Sequence, residues 1–306
     1  MLSRKVEKAC SEIRALKIQG ARKVAQAAVE AMALQAQESD ARTVDELRSD
    51  LLVAADALAK ARPTEPMLQN SIRFLFAEMM KAKPKTADAA RKAVVAEEKS
   101  LLKKFEENAQ RIAEYGAKEI PNGANVLVHC HSSTLVGALK RAQELGKAPK
   151  VTCTETRPRF QGVISAKELA EAGLDVTLVV DSAVKTVMYK TDMVLVGADS
   201  VTSTGDLINK IGTAGIATIA RESDVRLYSC AELYKFDPLT VWGRMTEIEE
   251  REPAEVADPK KLKGVKIRNF AFDRTDAKYI TGYITEKGVL PPQGFVSLAM
   301  REFGIG

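Results

Sequence analysis

From Asn125 onward the sequence repeats one unit: a short, nearly all-apolar segment, a polar cluster, then a stretch of helical composition. Asn125-Val126-Leu127-Val128-His129-Cys130 precedes a helix over 133–145. Residues 150–154 precede a helix near 166–172, and 176–180 precede one over 183–188. Two further apolar segments, 193–196 and 225–231, flank a helix over 212–221. Apolar strands alternating with helices specify a parallel, doubly wound sheet, an α/β fold, because strands covered on both faces cannot alternate with polar residues. Such sheets bind ligands beyond the C-terminal ends of their strands. Polar residues gather at those ends: His129-Cys130-His131-Ser132, Thr154-Glu155-Thr156-Arg157-Pro158, Asp181-Ser182, Gly197-Ala198-Asp199-Ser200 and Glu232.

The preceding part reads as helix almost throughout, rich in Ala, Leu, Lys, Glu and Gln. Breaks fall at 18–21, 38–40, 62–66 and 83–84, and Thr43 with Glu46 makes a capping box. The expected organisation is an N-terminal helical bundle over 1–120 and a Rossmann-like α/β domain over 121–306 that carries the chemistry. A charged excursion over 247–266, with Glu-Pro and Asp-Pro pairs, reads as surface; a last strand near Phe272-Asp273 and a helix from Ala277 complete the chain.

Charged residues are 28% of the 306 and the net charge is +5, with acidic residues interleaved and aromatics at 5%, so nucleic-acid binding is not expected. No apolar run reaches the ~20 residues of a membrane helix, and the charged N-terminus is unlike a secretory signal, so a cytoplasmic location without membrane contact is expected. Cys10, Cys153 and Cys230 read as buried thiols. His129 and His131, two apart on a strand, would share a face, but no third ligand accompanies them and no metal is expected.

Neither G-x-G-x-x-G after the first strand nor G-x-x-x-x-G-K-[ST] occurs, which argues against dinucleotide and nucleoside-triphosphate sites, and no cofactor is expected. Cys130 closes a strand before a helix, where a helix N-terminus and an imidazolium can depress a thiol pKa. A small residue filling the strand end is the alternative. Asp199 ends another strand and could equally cap a helix. Asn209-Lys210 before Gly212-Thr213 suits a phosphate at a helix start. Lys235, Arg62 and Arg22 are further candidate cations.

Five motifs occur in order: Val128-His129-Cys130-His131-Ser132; Thr154-Glu155-Thr156-Arg157-Pro158 with Gln161-Gly162; Val196-Gly197-Ala198-Asp199-Ser200-Val201; Asn209-Lys210-Ile211-Gly212-Thr213; and Glu232-Leu233-Tyr234-Lys235-Phe236. Together they resemble the family that joins the regulatory subunits of initiation factor 2B, methylthioribose-1-phosphate isomerase and archaeal ribose-1,5-bisphosphate isomerase. The isomerases of the family carry the cysteine and the aspartate, present here as Cys130 and Asp199. The segment Ala61-Arg62-Pro63-Thr64 and the motif from Glu232 to Phe236 resemble the bisphosphate branch.

That resemblance implies aldose–ketose isomerisation of ribose 1,5-bisphosphate to ribulose 1,5-bisphosphate, in AMP and nucleoside salvage toward a carboxylase. It places Cys130 as thiolate base and Asp199 as acid, the latter needing burial to hold its proton. It implies substrate contacts from Gln19, Gly20, Ala21, Arg22, Arg62, Ser132, Ser133, Thr134, Asn209, Lys210 and Lys235. Gln19 stands where the bisphosphate branch has arginine, which shifts that phosphate contact to Arg22 or weakens it. His131 stands where asparagine is common. The resemblance also implies a homo-oligomer, dimer or hexamer, and leaves AMP open as an effector. The alternatives are a non-catalytic regulatory subunit and methylthioribose-1-phosphate isomerase.

Overall fold

The computed structural model describes residues 2–305. Two compact units divide within one long helix, the first running to Glu107 and the second starting at Asn108. The first contains α1 (Arg4–Arg14), α2 (Ala21–Glu38), α3 (Val44–Ala61), α4 (Pro66–Lys81) and the first part of α5 (Ala87–Glu119). α2 packs against the other three short helices, and its alanine-rich buried face (Ala25, Ala28, Ala36) lets them approach closely. Thr43 and Glu46 form the predicted capping box at the start of α3. α4 begins on Pro66, whose missing N–H costs nothing in a first turn. No helix among the described residues is long and apolar enough to cross a membrane.

The second unit is built on β1 (Asn125–His129), β2 (Lys150–Thr154), β3 (Asp175–Val179), β4 (Met193–Val196), β7 (Arg226–Cys230), β9 (Gly282–Thr285) and β10 (Gly288–Leu290), ordered β10-β9-β7-β4-β1-β2-β3. All neighbours run parallel except β9 and β10. Val126 and Val128 of β1 join one buried cluster and Leu127 the cluster on the other face; β4 divides likewise. Burial on both faces is why these strands are apolar without interruption.

The helices α6 (Ser133–Glu144), α7 (Gln161–Glu171), α8 (Val184–Met188) and α9 (Thr213–Glu222) lie where the sequence predicts them, although α7 starts five residues early. The reason is a close approach: a Cβ on Gly162 would stand 1.7 Å from the Thr154 carbonyl oxygen, so only glycine lets the chain coil directly against the end of β2.

Two features differ from the sequence reading. Asn209 and Lys210, which precede the start of α9 as expected, also end a strand that the sequence reading did not include, β6 (Leu207–Lys210). It lies between β5 (Ser200–Val201) and β8 (Phe272–Thr275) in a small antiparallel sheet. The predicted helix from Ala277 is one 3-10 turn (Ala277–Tyr279), then β9 and β10, with a helix only at α10 (Pro292–Glu302). In both places pairing with strands distant in sequence overrides local preference: β6 takes β8, and β9 takes β7.

Gly162→Ala should lower stability by about 3 kcal/mol or more, since the clash is with backbone that cannot step aside. A urea-midpoint shift equivalent to less than about 1 kcal/mol would show that α7 can retreat from β2.

Candidate active site

β1 and β4 are parallel neighbours with His129 aligned to Val196, and the chain winds from β1 toward β3 in one direction before returning to place β4 on the other side. The winding therefore reverses between the C-terminal ends of β1 and β4, where doubly wound sheets open a crevice. Cys130 leaves one of these strands and Asp199 follows the other.

Cys130 turns left-handed, at φ 68°. A residue with a Cβ pays roughly 1–2 kcal/mol for that conformation. Its neighbours hold it there: its N–H donates to Thr156 Oγ1 (2.9 Å) and its carbonyl accepts from Ser165 Oγ (3.1 Å). Thr156 is itself left-handed (φ 63°), and the N–H groups of Thr156 and Arg157 donate to the Asp181 carboxylate at 2.8 and 2.7 Å. Strain concentrated in two adjoining loops at a switch point is a mark of a working site.

The turn at Cys130 also separates the two imidazoles, which were expected to share a face. His129 is buried. Its Nε2 faces the Ile211 carbonyl at 2.8 Å, which can only accept, so Nε2 carries the proton and Nδ1 accepts from Thr154 Oγ1 at 2.6 Å. Burial, the largest influence, lowers its pKa and keeps it neutral. His131 instead lies 3.0 Å from Ser165 Oγ, with Glu168 at 4.0 Å from its Nε2. Among the described residues no cluster of three or more His, Cys, Asp or Glu could hold a metal ion.

The thiol does not have the depressed pKa expected for a strand-end cysteine. Burial pushes it up to about 11, the Asp199 carboxylate adds to the rise, and Lys210, the His131 N–H and Arg251 pull it back only in part. Desolvation outweighs the cations, so the resting group is a neutral thiol.

Asp199 is half-buried and fixed through its backbone: its N–H donates to Ile208 O (3.0 Å). The two preceding carbonyls accept from Ser229 Oγ (2.7 Å, at Gly197) and Lys235 Nζ (2.5 Å, at Ala198). Lys235 is buried, and its ammonium thus positions the aspartate segment. A Cβ on Gly197 would stand 2.7 Å from Ser132 Cβ and 3.9 Å from Asn209 Oδ1, which brings Ser132 and Asn209 together at the switch point. Ser132 Oγ bonds Thr134 Oγ1 (2.7 Å), while Ser133 is exposed.

The start of α9, expected to receive a phosphate, is occupied from within. The Asp273 carboxylate accepts from Gly212 N (2.7 Å) and Ala214 N (3.2 Å), and Asn209 Nδ2 donates to Thr213 Oγ1 (3.0 Å). Burial pushes Asp273 up to about 6, against the pull of those N–H groups. Lys210 remains at the site; it is buried with Nζ 5.2 Å from the Phe272 ring centroid. The other sequence candidates lie in the helical unit. Gln19 and Gly20 are exposed before α2, Ala21 and Arg22 open that helix, and Arg62 is buried at the end of α3.

Residues 17–292 match the Initiation factor 2 subunit family. The chain belongs to that family. Within it, the chain is 41% identical to the ribose 1,5-bisphosphate isomerase of Pyrococcus furiosus, over 99% of this chain and 96% of that one. Two solved structures from Pyrococcus horikoshii share the fold. A translation initiation factor eIF-2B is 29% identical, with a TM-score of 0.83, over 95% of this chain and 98% of that one. A 5-methylthioribose 1-phosphate isomerase is 30% identical, with a TM-score of 0.78, over 97% and 88%. As a member of the family, the chain has the expected α/β architecture, with its helical region followed by a mainly parallel sheet.

Thr156, Ser165, Asp181 and Asp273 hold this site without having been singled out as site residues. Thr156 and Asp181 were visible as strand-end polar residues; Ser165 and Asp273 gave no signal, because their partners are distant in sequence.

The lowered pKa of His129 links stability to pH. The unfolded imidazole binds a proton near pH 6.5 and the folded one only at lower pH, so folding loses stability as pH falls through about 6.5. Denaturation of wild type and His129→Gln between about pH 8 and 5 should show a smaller acid-side loss in the variant. Parallel curves would place the acid sensitivity elsewhere.

Proposed function

We propose that this chain is a ribose 1,5-bisphosphate isomerase that forms ribulose 1,5-bisphosphate, with Cys130 and Asp199 as its proton-transfer pair. The observation that carries the reading is the placement of both groups at one switch point, in a chain about 40% identical over nearly its full length to proteins bearing that name.

The substrate's anomeric carbon carries a phosphate, so the ring cannot open to a free aldehyde. Removal of the C2 proton and cleavage of the C1–O4 bond must be coupled. At rest the thiol carries a proton. Passing it to the carboxylate gives thiolate beside carboxylic acid with no change in net charge. The thiolate then takes the C2 proton while the acid protonates the departing O4. The C2–H electron pair becomes the C1=C2 bond of an enol phosphate. In the second half the carboxylate takes the O2 proton and the thiol returns its proton to C1, giving the ketone and restoring the thiolate and acid. Each group gives and takes one proton, and no cofactor is needed to balance the reaction.

Lys210, Lys235, Ser132, Ser133, Thr134 and Asn209 are proposed as substrate contacts in the α/β unit. Gln19, Gly20, Ala21, Arg22 and Arg62 are proposed contacts from the helical unit. Two buried lysines near the aspartate segment support a substrate carrying phosphate groups over a neutral sugar. A cytoplasmic location and AMP as an activating effector are proposed on the family resemblance; titrating AMP into the assay tests the latter.

A homo-oligomer, dimer or hexamer, is proposed from the sheet edge. β3 is an edge strand whose exposed Leu178 adjoins exposed Val180, and Val163 and Ile164 are exposed on α7, which packs on β3. Sedimentation should find more than one copy per particle, and Leu178→Asp should shift the distribution toward monomer.

Cys130→Ser and Asp199→Asn should each lower kcat by roughly a hundredfold or more while ribulose 1,5-bisphosphate still binds. Near-normal turnover in either variant would remove that residue from the chemistry. Because the active ionisation state is the singly protonated pair, kcat/KM should stay level between about pH 8 and 10. A rise of about tenfold per pH unit would mean that a separately ionised thiolate is required. A methylthioribose-1-phosphate preference would appear on offering both sugars. Binding without turnover of either would favour a regulatory subunit.

A further inference from the structure

The charged excursion after residue 247 is exposed along most of its length, but one of its side chains turns inward. Arg251 retains 9% exposure and lies with Cζ 5.3 Å from the Phe272 ring centroid; Lys210 Nζ lies 5.2 Å from the same centroid.

The placement is built into the backbone. Residues 249–251 pair with 269–271, through Arg251 N–H to Asn269 O and Ala271 N–H to Glu249 O, both 2.9 Å. The chain then continues into β8, where Phe272 is the register partner of Lys210. One ladder therefore delivers both cations to one ring. The Glu249 carboxylate accepts from Arg251 Nε (2.9 Å) and Nη2 (3.3 Å) and sets the plane of the guanidinium.

The excursion is also tied to the loop that holds the cysteine turn. Arg159 pairs with Glu255 at 3.0 Å and Arg157 Nη2 donates to Val256 O at 2.8 Å, while Thr156 in the same loop bonds Cys130 N–H. Both Lys210 and Arg251 act on the Cys130 thiol through their charge.

We propose that Arg251 is a substrate-binding residue of this site, acting with Lys210 across Phe272 on the phosphate attached to the anomeric carbon. The assignment rests on the isomerase reading above. In that reading Cys130 takes the C2 proton, and the C1 phosphate is the anionic group next to that carbon. Two cations sharing one ring repel each other, and a phosphate dianion is attracted to both. A guanidinium with a fixed plane can meet a phosphate through two parallel N–H groups, which an ammonium cannot.

The test measures binding by calorimetry in a Cys130→Ser background, in which turnover is strongly reduced, with product formation checked after each titration. Arg251→Met should weaken ribose 1,5-bisphosphate roughly tenfold or more and leave ribose 5-phosphate within about twofold, and Arg251→Lys should fall between. Arg268→Met, which removes a guanidinium stacked on Phe270 at 4.3 Å in a more exposed position, should change neither ligand. Unchanged bisphosphate affinity in Arg251→Met overturns the proposal. So does an equal loss for both ligands, which would indicate a structural role. If Arg251→Met does not fold, Arg251→Lys and Glu249→Gln carry the decision. A selective loss of bisphosphate affinity supports the assignment, and its absence in both overturns it. Failure of the isomerase reading is distinguishable, because the otherwise unaltered chain would then not turn over ribose 1,5-bisphosphate.

Discussion

The left-handed turn at Cys130 is the constraint on which the site depends. Were the chain to leave β1 extended, period-two alternation would carry His129 and His131 to one face and the thiol to the other. His129, still in β1, faces Thr154 and Ile211, while the turn after it sends His131 to Ser165. Its cost is met by bonds from two neighbouring segments, Thr156 Oγ1 on the Cys130 N–H and Ser165 Oγ on the Cys130 carbonyl. Thr156 is held in turn by Asp181, beyond the end of β3. The ends of three consecutive strands thus cooperate to present one side chain.

Electrostatics at the switch point is a contest that burial wins. Lys210 and Arg251 favour a thiolate, yet the thiol stays protonated because it is desolvated and shares its surroundings with Asp199. In the proposed reaction one proton is taken from carbon as another is given to oxygen, and the proton retained by the thiol is the one available for that exchange. It also spares the resting enzyme an exposed, oxidisable thiolate. The same balance accounts for His129, which is kept neutral as a strut between β2 and the segment before α9.

The fold alone does not decide the activity. Solved relatives with this architecture carry names as different as a translation initiation factor and a sugar-phosphate isomerase. Function on such a fold is decided by the side chains of its site, and in the proposed reading those are Cys130, Asp199 and the buried lysines beside them.

The parallel core of the sheet, the boundaries of β1, β2, β3, β4 and β7, the capping box at Thr43 and the strand-end positions of Cys130 and Asp199 follow from the sequence itself. They rest on local apolar runs, on caps spaced within one turn, and on a winding rule that puts ligand groups at one edge. The small sheet of β5, β6 and β8, the strands β9 and β10, the neutral state of the thiol and the inward turn of Arg251 do not. Each depends on a partner remote along the chain: Phe272 for Lys210, Asn269 for Arg251, Asp273 for the start of α9. Residue types announced a cysteine and an aspartate at strand ends; only the tertiary structure decided that the thiol keeps its proton, because desolvation is a property of the surrounding fold.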